Sequence, residues 1–286
     1  MRRQTKLIIQ GYPGSFHDEA ARKYFGNRRI ELVPAKSFDI LARQLKTDLS
    51  INYGIMAIEN SIAGSILQNY RILREHEFWI SGEVFMRISH NLLAMPGSEI
   101  SNIEEVHSHP MALSQCLKFF ERYPSIQLVE TADTALAAKY ISDHELTNVA
   151  AVGSEIAAKL YDLDAIAKGI ETSQVNYTRF IIVSRECQYS SIGNADKASV
   201  YLKVSHKKGS LLKVLQCIAD HDINISKLQS FPVLGSFNQY YFHLDLEFDD
   251  LTQYESCIDE VRKVSSDLDE LGIYKRASIY DHQTVK

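Results

Sequence analysis

Asn176-Tyr177-Thr178-Arg179-Phe180 sits between a polar loop, Glu171-Thr172-Ser173-Gln174, and an apolar run, Phe180-Ile181-Ile182-Val183. That break in polarity marks a loop-to-strand junction, where an α/β fold can aim side chains into a crevice from a backbone held by the sheet. Thr178 supplies a hydroxyl that both donates and accepts, and Arg179 a planar cation suited to bidentate carboxylate binding. On these five residues alone, a β-branched strand former beside a solvated charge is the simpler reading. The preceding chain changes it. A series of strand-turn-helix units returns at 180–183 to an isolated strand, which suits two α/β lobes with the chain crossing between them and a ligand cleft at the crossing.

The units run as follows. Lys6-Leu7-Ile8-Ile9-Gln10 reads as a buried strand entering the turn Gly11-Tyr12-Pro13-Gly14-Ser15 and a helix from His17 to Phe25. Ser15 with Asp18 three residues on resembles a capping arrangement. The spacing is neither GxGxxG nor a P-loop. Tyr53 to Ile58 is a strand that ends in Asn60-Ser61, followed by a helical segment from Ile66 to Arg74. Ile88 to Ala94 reads as a strand with His90 inside it as a satisfied structural group. Val106 to Ser108 is a strand whose helix starts at Pro110, with Ser108 or His109 as cap. Gln115 lies between that helix's apolar positions, beside Cys116, where it can face the crevice. Thr131 to Tyr140 and Glu155 to Tyr161 are helices, and Asn148 to Gly153 a strand. His107-x-His109 lacks the further ligands that a metal centre needs.

Composition bounds the rest. A hydrophobic share of 45% and a charged share of 23% in 286 residues are those of a folded, two-domain-sized chain. A net charge of -5 with interspersed signs points to neither nucleic acid nor membrane. Cys116, Cys187, Cys217 and Cys257 are widely spaced and form no CxxC, which suits buried reduced thiols in a cytoplasmic protein. Met1-Arg2-Arg3 leads into a strand-like run rather than a signal-peptide core, and no apolar stretch reaches bilayer length. After a polar linker, Gln188 to Asp196, the pattern becomes strand Ala198–Ser205, helix Leu211–Asp220, strand Ile223–Pro232, strand Gln239–Glu247, helix Leu251–Leu268 and strand Ile273–Ile279. This βαββαβ order is a ferredoxin-like unit.

Read together, GYPGSFHDEAA (11–21), AIENSIAGSI (57–66), HNLL (90–93), VHSHPMALSQC (106–116), TADTALAA (131–138), AAVGSEIAAKLYDL (150–163) and NYTRF (176–180) resemble the prephenate dehydratases. KKGSLLKVLQCIADHDINISKLQSFP (207–232) resembles an ACT regulatory domain, and no chorismate mutase segment precedes the match, as in the monofunctional form. The resemblance implies a periplasmic-binding-protein-like, two-lobed catalytic domain over 1–187, a linker over 188–196 and an ACT domain over 197–280. It implies conversion of prephenate to phenylpyruvate, carbon dioxide and water without cofactor or metal, control by L-phenylalanine, and self-association through the ACT domains. Thr178 would act on the departing hydroxyl, Arg179 would bind a carboxylate, and Asn60, Ser108 and Gln115 would orient substrate. Ser15, Ser61 and Phe180 are further substrate-binding positions. Met111 departs from the glutamine usual after His-Pro.

The effector site would involve Gly209, Ser210, Leu211, Asn224, Ile225, Gln229 and Phe231. The family's Glu-Ser-Arg-Pro reads Gln229-Ser230-Phe231-Pro232 here, so both charges are replaced. Two other readings stand beside this one. Arogenate could replace prephenate, differing by an amino group for a keto group, or the chain could be a non-catalytic small-molecule sensor.

Overall fold

The structure is a computed structural model that describes residues 4–187, 193–233, 235, 236 and 238–278. In chain order the first elements are β1 (Thr5–Gln10), α1 (Phe16–Phe25), β2 (Ile30–Ala35), α2 (Phe38–Thr47), β3 (Tyr53–Asn60), the short β4 (Gly64–Ser65) and α3 (Leu67–Glu75). Next come β5 (Trp79–Arg87), β6 (Asn91–Ala94), β7 (Glu105–Ser108), α4 (Pro110–Phe120), β8 (Gln127–Glu130), α5 (Thr134–Asp143), β9 (Val149–Gly153), α6 (Glu155–Leu160), β10 (Asp164–Ala167) and β11 (Tyr177–Ser184). The last group is β12 (Lys197–Lys203), α7 (Ser210–Asp220), β13 (Asn224–Pro232), β14 (Tyr240–Glu247), α8 (Leu251–Val264) and β15 (Asp267–Tyr274).

One sheet has the order β2-β1-β3-β11-β5 with β4 on β3, a second β10-β6-β9-β7-β8, and a third β13-β14-β12-β15. The chain falls into two compact units, residues 1–72 with 84–180, and residues 73–83 with 181–286. The fold is mixed α/β. In the first unit β1 pairs in parallel with β2 and β3, so helices must return over the sheet faces. Leu7, Ile8, Ile9, Ile55 and Met56 are buried completely, as strands covered on both faces require. The second sheet has a core on each face, one built on Val106, Leu113 and Cys116 and the other on Leu93, Ala138 and Ile141.

Local chemistry sets the helix starts. Ser15 caps α1, and its Oγ accepts the Asp18 N–H at 3.4 Å. His109, not Ser108, caps α4, and Pro110 takes the first helical position, where its missing N–H costs nothing. The helix expected from Thr131 begins instead at Thr134, because Asp133 caps it by accepting the Leu136 N–H at 2.8 Å. Ile88 to His90 lies outside β6.

Two turns need glycine. Gly11 has φ +88°, and a Cβ there would stand 2.3 Å from Asp133 Oδ2. Gly14 has φ +89°, its carbonyl accepts Ser154 Oγ–H at 2.6 Å, and the carbonyl of Pro13 accepts Tyr161 O–H at 2.6 Å. Gly11→Ala is expected to cost about 1–2 kcal/mol through the backbone alone, lowering the thermal midpoint by roughly 2–8 °C. An unchanged midpoint would contradict the requirement for glycine.

In the second unit, β12-α7-β13-β14-α8-β15 forms the expected βαββαβ unit, with an apolar core of Val200, Leu202, Leu244, Leu246, Val214 and Val261 between sheet and helices. Its end differs from the sequence expectation. Helix α8 stops at Val264, and the last strand is Asp267–Tyr274 rather than Ile273–Ile279, of which 279 lies outside the described residues. In the stretch 188–196, residues 188–192 also lie outside them. All four cysteines are free, but Cys187 and Cys217 are only partly buried. No helix among the described residues is long and apolar enough to cross a membrane.

Candidate active site

A cavity of about 410 Å³ opens within the first unit. Its wall comes from the ends of strands and the first turns of helices. Gln10, Ala57 and Asn60 lie on β1 and β3, Thr178 and Phe180 on β11, and Gln115 and Ala112 on α4. Ser15, Phe16 and His17 open α1, His109 and Met111 open α4, and Asp133 and Thr134 open α5. Three helix N-termini therefore face one cavity, each with the positive end of its dipole, although at α4 Pro110 has no N–H and those of Met111, Ala112 and Leu113 all donate to His109. Among the lining residues none is Lys or Arg, and Asp133 is the one carboxylate.

A row of side-chain hydrogen bonds crosses this wall, and its polarity can be read from one end. The backbone N–H groups of Ile62 and Ala63 donate to Asn60 Oδ1 at 3.0 and 2.9 Å. A backbone N–H can only donate, so the Asn60 amide nitrogen faces the other way. It donates to Thr178 Oγ1 at 2.9 Å and to Asn176 Oδ1 at 2.8 Å. Asn176 Nδ2 then donates to Gln115 Oε1 at 2.9 Å, and the same oxygen lies 2.9 Å from His90 Nε2. Gln115 Oε1 can only accept, so His90 carries its proton on Nε2. Burial holds the His90 pKa below its ordinary value, against the opposing pull of the Gln115 bond and the Glu171 charge. His90 N–H donates to Glu171 Oε2 at 2.9 Å, which anchors the loop carrying the row.

The consequence falls on Thr178. Its oxygen accepts a hydrogen bond from Asn60, so its own O–H is left to donate into the cavity. Asn60 also stabilises any negative charge that builds on that oxygen as its proton leaves.

Asp133 stands at the α5 terminus beside the Gly11 turn. Burial pushes its carboxyl above the ordinary value, against backbone hydrogen bonds from Leu136, Ala135 and Tyr12 and the charge of His109. His109 Nδ1 accepts the Met111 N–H at 3.2 Å. His17 Nε2 accepts the Ala57 N–H at 3.3 Å, and burial lowers its pKa to about 3.

Thr178, Asn60, Gln115, Ser15 and Phe180 all line the cavity. Ser108, Arg179 and Ser61 do not. Ser108 is wholly buried and donates to the Val152 carbonyl at 2.7 Å, so its hydroxyl ties β7 to β9 instead of meeting a ligand. Arg179 is 4% exposed and stands between two lining residues of β11, where strand alternation turns it to the other face. Ser61 is exposed, donates to the Val175 carbonyl and accepts the Tyr177 N–H. The sequence reading passes over Asn176, Glu171, His17 and Asp133, and leaves His90 structural. The Asn in NYTRF is the one signal that could have extended the row, as an amide one residue before the strand. Among the described residues no group of three or more His, Cys, Asp or Glu is placed to hold a metal ion.

A separate cavity of about 310 Å³ lies in the second unit, lined in part by Gly209, Ser210, Leu211, Lys207, Asn238 and Phe242. Gly209 has the left-handed φ of 80° that opens α7. Asn224, Ile225, Gln229 and Phe231 are on β13 and do not line it. Asn224 donates to Glu247, and Phe231 stacks 6.0 Å from Tyr201.

With this geometry in place, the comparisons with known proteins are specific. The prephenate dehydratase family profile matches residues 7–188. An arogenate dehydratase/prephenate dehydratase of Arabidopsis thaliana is 32% identical over 95% of this chain and 72% of its own length. A bifunctional chorismate mutase/prephenate dehydratase of Aquifex aeolicus is 30% identical over 98% and 76%. Among solved structures, a prephenate dehydratase from Arthrobacter aurescens in complex with L-Phe superposes with a TM-score of 0.82 at 23% identity, covering 98% of this chain and 94% of that one. GqqA, described as a novel type of quorum quenching acylase, superposes at 0.83 with 28% identity, covering 96% and 98%. The matched profile and the two enzyme relatives agree: the chain belongs to the prephenate dehydratase family, whose members among its relatives act on prephenate, arogenate or both.

Proposed function

We propose that the chain converts prephenate to phenylpyruvate, carbon dioxide and water, a step of L-phenylalanine biosynthesis. The observation that carries this is the Thr178 hydroxyl in the cavity wall, with Asn60 donating to its oxygen at 2.9 Å. As the ring carboxylate leaves, the electron pair of its C–C bond enters the ring and expels the ring hydroxyl. That hydroxyl takes a proton from Thr178 and departs as water, and solvent returns the proton to Thr178. One proton is consumed overall, and aromatisation supplies the driving force.

The enzyme's task is geometry and charge. Arg179 lies off the wall, so the reading gives the charge of the retained carboxylate to the converging positive ends of α1, α4 and α5. A wall with no Lys or Arg favours decarboxylation, because a cation tightly paired with the departing carboxylate would stabilise the ground state. Phe16, Ala57, Ile66, Ile88 and Phe180 supply apolar lining to the cavity.

The same reading assigns 1–187 to catalysis and 197–280 to an ACT regulatory domain, with 188–196 between them. The effector would be L-phenylalanine, bound where Gly209, Ser210 and Leu211 line the second cavity. Asn224, Ile225, Gln229 and Phe231 on β13 would be brought to it by a second copy. β13 is an edge strand with Leu228 at 42% exposure, which supports pairing between chains. Calorimetry should detect phenylalanine binding and assays a loss of rate; no binding at millimolar concentration would remove the effector site.

Asp133 favours a second reading. A lone carboxylate in the wall would pair with the ammonium of arogenate better than with the keto group of prephenate. An acylase reading lacks support, since among the described bonds no lining hydroxyl pairs with a lining histidine. The deciding experiment compares kcat/KM for prephenate and arogenate, with phenylpyruvate and phenylalanine followed separately. Preference for prephenate supports the proposal. Preference for arogenate that Asp133→Asn abolishes would replace it with the second reading.

A further inference from the structure

Helix α1 starts in the cavity wall, and its first turn carries an unusual side chain. The backbone N–H groups of Phe16 and His17 occupy the first two helical positions and have no intrahelical acceptor. No acceptor for them is found among the described residues. Ser15 Oγ and Ser15 O serve the next two N–H groups, those of Asp18 and Glu19. His17, 9% exposed, lines the same cavity. The Ala57 N–H donates to its Nε2 at 3.3 Å, so the ring proton sits on Nδ1. That Nδ1–H has no acceptor among the described residues. Edge contacts with Phe38 at 5.6 Å and Phe180 at 5.0 Å hold the ring in place.

We propose that His17 Nδ1–H, with the Phe16 and His17 backbone N–H groups, forms a subsite for the substrate carboxylate that survives the reaction. The assignment rests on the dehydratase reading above, and it goes further by dividing the two carboxylates. Donors aimed at the departing carboxylate would hold it back and raise the barrier, whereas donors on the retained side-chain carboxylate bind ground state and transition state alike. A neutral imidazole suits this task. Burial keeps His17 uncharged at any pH near neutrality, its pKa being about 3, so the subsite adds no cation that would also attract the ring carboxylate.

The test compares His17→Phe with His17→Asn in the full-length chain. Both lose the acceptor for Ala57 N–H, but asparagine keeps an N–H close to the position of Nδ1 and phenylalanine does not. Losing one hydrogen bond to a charged group should raise KM, and Kd for the product phenylpyruvate, about tenfold or more in His17→Phe with kcat little changed. His17→Asn should stay within about threefold of wild type in both. Equal KM and Kd in wild type and His17→Phe, or equal damage in both variants, overturns the subsite. If His17→Phe does not fold, ¹⁵N-histidine spectra of the wild-type chain carry the test. Phenylpyruvate must shift the His17 Nδ1–H resonance, and an unmoved resonance overturns the proposal. A wild-type chain that turns over neither prephenate nor arogenate defeats the dehydratase reading instead, so the two failures are distinct.

Discussion

Thr178→Val is expected to reduce kcat by about two to four orders of magnitude while leaving the fold intact. Valine keeps the branched shape that suits β11, where Thr178 is 7% exposed, and so removes hydroxyl chemistry without changing strand propensity. The substitution also leaves one Asn60 N–H without the Thr178 oxygen, but that amide still donates to Asn176 Oδ1 and Tyr177 O. Thermal stability should therefore fall little. The loss should appear in kcat and kcat/KM together, because the interaction removed strengthens only as the leaving oxygen gains charge. Near wild-type turnover in a folded Thr178→Val chain would refute the assignment.

Asn60→Asp should be nearly as damaging, for a reason specific to polarity. A carboxylate in the same place still accepts the Ile62 and Ala63 N–H groups. It cannot donate to Thr178. It would instead accept the Thr178 proton, pulling the donor away from the substrate, and it would face Asn176 Oδ1 as a second acceptor. A drop in kcat of about two to three orders of magnitude is expected from losing an oriented proton donor. Steady-state rates on the variant check it. A loss below about threefold would mean that Thr178 does not depend on Asn60 for its orientation.

These expectations explain what was legible in the sequence. Asn60, Gln115 and Thr178 are 55 or more residues apart along the chain yet meet in one wall: Asn60 ends β3, Thr178 stands near the start of β11, and Gln115 lies inside α4. Motif order could bring them together because β-strand ends converge in α/β sheets. Arg179 shows where chemistry misleads. Period-two alternation, already implied by reading 180–183 as a strand, puts Thr178 and Phe180 on one face and Arg179 on the other. Ser108 has the same lesson, since a hydroxyl at a strand end can equally bond a neighbouring strand.

Other features had no local signal. His17 matters through Ala57, Phe38 and Phe180, partners that no spacing relates to it. The capping role of Asp133 is a local pattern, Asp to the N–H of Leu136, but the alanine-rich run around it fits a helix from either start. At the other end, Leu251 to Leu268 keeps apolar residues at helical spacing through Val264. Only the paired register of β15 with β12, Lys203 opposite Asp267, shows that the strand has already begun.

The most direct test of the central claim is the rate at which purified chain forms phenylpyruvate and carbon dioxide from prephenate, measured beside Thr178→Val prepared identically. The expected result is one carbon dioxide per phenylpyruvate from the wild-type chain, with the variant slower by at least about a hundredfold. Equal rates from the two chains, or no product from either, would contradict it.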